Sequence, residues 1–191
     1  MVNSFTVAGK PAALRPLAAD DAQALLAFAQ AIPLHDLLFL QRDIRKPRVI
    51  AAWLDQIDSG QIASRVVVDD SGRVLACTAL VRDEFSWSPH VAEVRILIAP
   101  EARGGGLGRR LAHEVMQAAR AAQVKKLFVR MTPDQEGALY VFQDLGFVPE
   151  ALLRDHVRDA AGQPHDIVIL ALDLQRQQDQ QALYGLGEIQ G

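Results

Sequence analysis

The residues of this sequence that most clearly indicate a chemical function form a turn rich in glycine and arginine. It reads Arg103-Gly104-Gly105-Gly106-Leu107-Gly108 and continues with Arg109 and Arg110. Glycine lets the backbone approach a ligand closely and adopt positive φ, so consecutive N–H groups can point at one anion. A helix that starts directly after the turn adds unsatisfied amides and the positive end of its dipole. This combination predicts a site for a pyrophosphate.

Two other phosphate-binding loops fit this turn less well. A P-loop requires Gly-Lys followed by Ser or Thr, whereas the chain continues Gly108-Arg109-Arg110. A dinucleotide-binding fold requires an acidic residue about 20 positions further on. The corresponding segment, 125–130, contains lysine and arginine but no carboxylate. A turn that only reverses the chain is the remaining alternative, and the glycines and arginines together make it the weaker one.

The apolar periodicity predicts the elements that hold this turn. β-rich runs predict strands, and apolar residues spaced three or four apart predict helices. The strands are expected at 13–17, 62–68, 74–81, 91–98, 126–131, 147–157 and 167–174. The helices are expected to begin near residues 20, 47, 107 and 135, and to end before Pro33, before Gly60, and near residues 122 and 145. The glycine turn therefore joins a strand to a helix, and segment 34–46 stays unassigned.

This order of elements predicts the fold class and the domain organisation. About seven strands and about four helices, without a repeated βα unit, predict a mixed sheet with helices on its faces, that is, an α+β or α/β fold. The length of 191 residues is that of one domain, expected over 1–174. The glutamine-rich tail, 175–191, is expected to be mobile or to lie on a neighbour.

Composition excludes several classes of protein. The formal net charge of -3 disfavours nucleic acid as a partner. The single cysteine, Cys77, excludes an intrachain disulfide and a thiolate zinc site, and the five histidines show no metal-ligand spacing. No apolar run approaches a membrane span, and the first residues lack the features of a secretion signal. We therefore expect a cytoplasmic protein with no bound metal and no membrane partner.

Residues 98–108 resemble the signature of the GNAT superfamily of N-acetyltransferases. An apolar strand end is followed by Pro100 and then by the glycine turn, which matches the pattern Arg/Gln-x-x-Gly-x-Gly/Ala at a helix start. Residues 138–147 resemble the helix of that family that ends in Leu-Gly-Phe, and the two motifs occur in the family's order and spacing. The resemblance covers about 13–174. It implies a mostly antiparallel central sheet and acetyl-CoA as co-substrate, and it allows a homodimer.

The resemblance also implies where acetyl-CoA binds. The pantetheine arm is expected alongside the strand before the glycine turn, with a backbone N–H of Ile96 or Ile98 directed at the thioester oxygen. The phosphates are expected on the amides from Gly104 to Arg109. The complete expected set is Ile96, Leu97, Ile98, Arg103, Gly104, Gly105, Gly106, Leu107, Gly108, Arg109, Gln135 and Phe142.

Acetyl transfer to an amine also requires a proton acceptor and a proton for the departing thiolate. Glu93 is the first candidate base, near the position where some family members carry a catalytic glutamate. Glu93 lies one residue away from the position of that glutamate in the family. A shift of one residue turns a strand side chain to the other face of the sheet unless a bulge intervenes. A salt-bridged Glu93 is the alternative, and Glu84, His90 or an ordered water are further candidates. Many relatives have tyrosine where this chain has Phe142, which cannot donate a proton.

The sequence therefore predicts an enzyme that acetylates a primary amine of a small molecule or of a protein N-terminus. A non-catalytic acyl-CoA-binding or sensor module is the second hypothesis. Nucleotide binding by another fold is the third, and it predicts no affinity for CoA. Cys77 and Trp53 are expected in the core and His113 at the surface, while Trp87 is expected to line an acceptor pocket or to be a partly buried aromatic.

Overall fold

The computed structural model describes residues 3–177, which form one mixed sheet with helices on both faces. The strands are β1 Asn3–Val7, β2 Lys10–Pro16, β3 Ile62–Asp69, β4 Val74–Val81, β5 Val91–Ile98, β6 Lys126–Met131, β7 Val148–Arg158 and β8 Pro164–Asp173. The α-helices are α1 Ala22–Ala31, α2 Pro47–Asp58, α3 Leu107–Ala121 and α4 Glu136–Asp144. Across the sheet the order is β1-β2-β3-β4-β5-β6-β8-β7, and β5 with β6 is the one parallel pair among these strands. The predicted mixed, mostly antiparallel sheet is confirmed.

The sheet has eight strands among the described residues, one more than expected, because the first strand was not predicted. β1 reaches β2 through a turn in which Ala8 and Gly9 have φ of 49° and 76°. Two consecutive positive φ values suit a tight hairpin, but the usual sequence signal is Asn-Gly or Asp-Gly. Ala-Gly gives no such signal, and the strand is only five residues long.

The alternation of side chains along β3 to β6 separates two faces of the sheet. On the front face, Ser64 accepts a hydrogen bond from the indole N–H of Trp53 at 2.9 Å, which fixes α2 over this side. On the back face, Arg65 pairs with Glu114 of α3 at 3.1 Å. Apolar residues of α3 and α4 fill the back face; they include Val115, Met116, Ala119 and Phe142, packed with Leu80, Val94, Leu127 and Val129. The back of the sheet is therefore closed by its own core.

β5 and β6 are hydrogen-bonded over only part of their lengths. Val91, Ala92 and Glu93 lie opposite residues 126–128, and the ladder ends there. β4 stays paired with β5 as far as Ile98, and β8 stays paired with β6 as far as Met131. Beyond Glu93, β5 stays hydrogen-bonded to β4 and β6 stays hydrogen-bonded to β8. β5 and β6 therefore diverge and leave a V-shaped opening between them. Its vertex lies at Glu93, and its open end lies between Ile98 and Met131.

The helices begin and end close to the predicted positions, and the unassigned segment contains a 3-10 turn at Leu34–Leu37. Residues 175–177 of the predicted tail continue a helical turn, in which Gln177 accepts a hydrogen bond from Arg120 at 2.7 Å. Residues 178–191 of that tail lie outside the described residues. None of the helices within 3–177 combines the length and the apolar character that crossing a bilayer requires.

Candidate active site

The glycine turn lies at the open end of the V, between β5 and α3. Gly104 and Gly106 have φ of +83° and +78°, a conformation that L side chains rarely adopt. Residues 103–106 are exposed, and no side chain caps the start of α3. Within 3–177, none of the amides from Gly104 to Arg109 donates to another backbone group. The turn is therefore open to solvent, with free donors at the positive end of a helix.

Arg103 has a different contact from the one expected. Its guanidinium donates to the carbonyl of Ile98 at 2.9 and 3.1 Å, and it also donates to the carboxylate of Asp36 at 2.6 Å. Arg103 thus closes the turn back onto the end of β5 instead of extending over the free amides.

The other two arginines of the motif also have partners elsewhere. Arg109 forms an ion pair with Asp144 at the end of α4, and the guanidinium of Arg110 lies 3.9 Å from the ring centroid of Phe5. In the described structure the three arginine side chains are therefore engaged by other residues, and the free backbone amides and the helix dipole supply the positive character at the turn itself.

The edge of β5 presents unpaired N–H groups to the V. The amide of Ala99 donates to Leu75 of β4 at 2.9 Å. Successive N–H groups of a strand point to opposite edges, so those of Ile96 and Ile98 point away from β4. The β6 ladder has already ended at this level, which leaves the two amides facing the opening. By the same alternation the amide of Leu97 points to β4, so Leu97 contributes only its side chain.

The two candidate cofactor contacts near α4 lie at the other arm of the V and in the core behind it. Gln135 immediately precedes α4. Its backbone N–H donates to the carbonyl of Thr132, beyond the end of β6, at 3.1 Å. Phe142 is buried and packs edge-to-face on Phe147, with ring centroids 5.1 Å apart. Tyr140 is 67% exposed, so it does not replace the missing phenol.

Glu93 lies at the vertex, on the front face, and is 5% exposed. One carboxylate oxygen accepts a hydrogen bond from Arg95 at 2.6 Å. The other lies 3.7 Å from Nε of Arg130 and has no hydrogen-bond partner among residues 3–177. The β4–β5 ladder is regular down to Glu93, so no bulge turns this side chain. Glu93 is therefore salt-bridged through one carboxylate oxygen, while its other oxygen keeps a free acceptor position.

The remaining sequence candidates lie away from the V. Glu84 pairs with Arg82, and both Glu84 and His90 are exposed in the loop before β5, on the far side of the vertex from the glycine turn. Trp87 in the same loop is 101% exposed, so the alternative of a partly buried aromatic is wrong, and the front pocket described below does not include it. His113 is exposed on α3, as predicted.

A cavity of about 150 Å³ opens on the front face beside β5; we call it the front pocket. It lies between α2, β4, β5 and the segment that precedes α2. Most of its lining is apolar, and its charged side chains are Arg42 and Arg95. The lining residues are Leu40, Gln41, Arg42, Ile44, Val49, Trp53, Gln56, Ile62, Cys77, Thr78, Ala79, Val81, Arg95 and Leu97.

Sequence reasoning missed the 3-10 turn that follows α1, which connects the two arms of the V. Its Asp36 bonds Arg103 beyond β5, and Nε2 of its His35 lies 2.7 Å from Asp134, beyond β6. The pKa of Asp134 lies below its usual value. The main cause is a hydrogen bond from the Thr132 hydroxyl, and His35 makes a smaller contribution in the same direction. These contacts join residues far apart in sequence, so no local pattern predicts them.

Cys77 is a core residue, as predicted, and burial raises the pKa of its thiol to about 12. We expect Ellman's reagent to detect no thiol in the native protein at pH 8, because the thiolate is scarce and inaccessible. One equivalent is expected after unfolding in guanidinium. Rapid titration of a full equivalent from the native protein, absent in Cys77→Ala, would contradict this burial.

Free amides at a helix start, beside an unpaired strand edge with a carboxylate at its base, are an arrangement that suits the chemistry of an acyl-CoA-dependent N-acyltransferase. The chain belongs to the GNAT acetyltransferase family, because the sequence profile described as Acetyltransferase (GNAT) family matches residues 17–147, more than half of the chain. The protein is therefore an acetyltransferase with acetyl-CoA as co-substrate. No curated protein sequence matches the chain significantly.

Solved structures with this fold act on chemically different acceptors. A phosphinothricin acetyltransferase from Sinorhizobium meliloti, in complex with AcCoA, is 19% identical, with 85% of this chain and 88% of that one covered at a TM-score of 0.74. The ribosomal-protein-S5-alanine acetyltransferase from Vibrio fischeri is 17% identical, with 91% and 96% covered at 0.73. Spermidine N-acetyltransferase from Vibrio cholerae, in complex with CoA and spermine, is 18% identical, with 85% and 95% covered at 0.70. At these identities the likeness establishes the fold alone.

Proposed function

We propose that this protein transfers the acetyl group of acetyl-CoA to a primary amine, by direct attack of the amine on the thioester. The observation that carries the proposal is the unpaired edge of β5 leading to the exposed glycine turn. The free amides from Gly104 to Arg109 would hold the diphosphate. The edge of β5 along Ile96, Leu97 and Ile98 would hold the pantetheine arm in the V, with Gln135 on the opposite side and Phe142 in the core behind it.

The chain's own groups divide the chemistry between the two faces of the sheet. Acetyl-CoA supplies an acyl thioester, whose thiolate is a tolerable leaving group. The N–H of Ile96 or Ile98 donates to the carbonyl oxygen as negative charge develops on it. α3 and α4 fill the back face, so the amine enters from the front, where Glu93 accepts its proton. As the C–N bond forms the C–S bond breaks, and solvent protonates the thiolate because Phe142 cannot.

The charge of the front pocket supports some classes of acceptor over others. A small molecule or a protein N-terminus can supply a primary amine, as phosphinothricin, ribosomal protein S5 and spermidine illustrate. The pocket is lined by two arginines and, among the described residues, by no aspartate or glutamate. A polycation such as spermidine would be repelled there, because the pocket lining within 3–177 offers no carboxylate to pair with the ammonium groups of the polycation.

Release of free thiol from acetyl-CoA tests this function. We expect release that depends on a primary amine, with one acetylated amine formed per thiol. A tertiary amine of similar shape is the matched control and should give only the background rate of the reaction without amine. Binding of CoA with no release on any amine would instead favour the non-catalytic acyl-CoA-binding role.

A further inference from the structure

We propose that the acceptor carries a carboxylate next to its primary amine, and that Arg95 and Arg42 of the front pocket bind this carboxylate. The inference rests on the proposed function and names the acceptor class, a free amino acid or a close analogue. It excludes a protein N-terminus, because the first residue of a protein has no free carboxylate beside its amine.

The first argument is the excess positive charge of the pocket, in which Arg95 is paired with Glu93 but Arg42 has no ionic partner within 3–177. Arg42 is exposed and makes no ion pair or hydrogen bond within 3–177, whereas the nearby Arg45 is paired with Asp43 at 2.8 Å. The lining contains Arg42 and Arg95 but, in the described part of the chain, no carboxylate. This local positive charge occurs in a protein whose formal net charge is -3. Such a pocket attracts an anion and repels a second cation.

The second argument is the incomplete hydrogen bonding around the vertex. Arg95 donates to Glu93 through one terminal nitrogen, but its buried Nε has no partner within 3–177, and the same holds for Nε of Arg130. A guanidinium has five N–H donors, and leaving buried donors unsatisfied costs free energy. Two guanidinium groups share one carboxylate here, so one net positive charge remains. A ligand carboxylate on the exposed part of the Arg95 side chain would compensate this charge.

The third argument is the spacing along β5. Glu93 and Arg95 are alternate residues on the front face, so their Cα atoms lie about 7 Å apart along the strand. The ends of the two side chains meet at 2.6 Å, so a compound with an amine and a carboxylate on one carbon can place the amine toward Glu93 and the carboxylate toward Arg95. The remaining substituent would enter the apolar part of the pocket, against Leu97 and Trp53. A cavity of about 150 Å³ suits a small side chain.

The test compares each proteinogenic amino acid with its α-carboxamide in the thiol-release assay. The two differ only in the carboxylate, and the amide has the more readily neutral amine, so any preference for the acid must come from binding. We expect kcat/KM for at least one acid to exceed that of its amide by about 10- to 100-fold. Arg42→Gln should raise KM for the acid by a similar factor and remove the preference. Arg45→Gln is the matched control and should retain it.

Arg95→Lys is the second variant, because it keeps the charge beside Glu93 but loses the forked geometry, and it should also raise KM for the acid. Turnover of amides as efficient as that of acids, or an undiminished preference in Arg42→Gln, would overturn the inference and leave the acetyltransferase function standing. If no amine supports thiol release, the proposed function fails first. Calorimetric titration of acids and amides into the CoA-saturated protein then decides, and equal affinity for both would reject the carboxylate site.

Discussion

Gly106→Glu is expected to weaken CoA binding at least about 100-fold, measured by calorimetry with CoA. The new carboxylate would lie at the N-cap of α3, where it accepts hydrogen bonds from the amides that the diphosphate needs. It also places a negative charge beside a diphosphate. Loss of two or three charge-assisted hydrogen bonds of about 1.5–3 kcal/mol each accounts for this size of effect. Open space surrounds the position of the new Cβ, so no steric clash contributes.

Gly60→Glu is the matched control for this substitution. Gly60 has the same φ of +78° and the same open surroundings, but it lies between α2 and β3, far from the open end of the V. The strain of a non-glycine residue at positive φ is therefore common to both variants, and only Gly106→Glu should lose CoA affinity. An unchanged Kd in Gly106→Glu would mean that the diphosphate does not bind at this helix start.

The parts of the site that sequence reasoning predicted are those in which one short segment supplies every group. The strand, the glycine turn and the helix start lie together in residues 91–121, and their function needs only backbone amides and positive φ. Period-2 alternation likewise places Glu93, Arg95 and Leu97 on one face as soon as β5 is recognised. The orientation of the Ile96 and Ile98 amides follows from the same alternation, but that they are unpaired depends on where the β6 ladder ends.

The contacts that sequence reasoning did not foresee join distant segments. Arg103 looks like a phosphate ligand in the local motif, yet Asp36, 67 positions away, holds its guanidinium. Arg109 is held in the same way by Asp144 of another helix. A local pattern reports the charge of a side chain but not which partner neutralises it. Arg42 illustrates the converse, because it belongs to an unassigned segment and matters only once α2 and β5 enclose the front pocket.

Glu93→Gln is expected to lower kcat at neutral pH by about 100- to 1,000-fold, because a positioned general base contributes about 10²–10⁴ to the rate. The amide of glutamine is nearly the same shape and can still accept the hydrogen bond from Arg95, so CoA affinity should stay unchanged. If Glu93 accepts the proton, the acidic limb of the pH–rate profile should differ between the wild-type enzyme and Glu93→Gln, because only the ionisation of the acceptor amine is common to both.

Arg130→Gln separates the role of Glu93 as a base from its role in the ion-pair cluster. It removes the guanidinium 3.7 Å from the free carboxylate oxygen but leaves the carboxylate in place. Both variants disturb a buried ion pair and should lower the melting temperature, so stability cannot distinguish the two roles. The pH–rate profile can, because Arg130→Gln keeps the acidic limb if Glu93 accepts the proton. If Glu93→Gln has the same limb as the wild type, the proton goes to another group, and Glu93 only holds Arg95 and Arg130 in place.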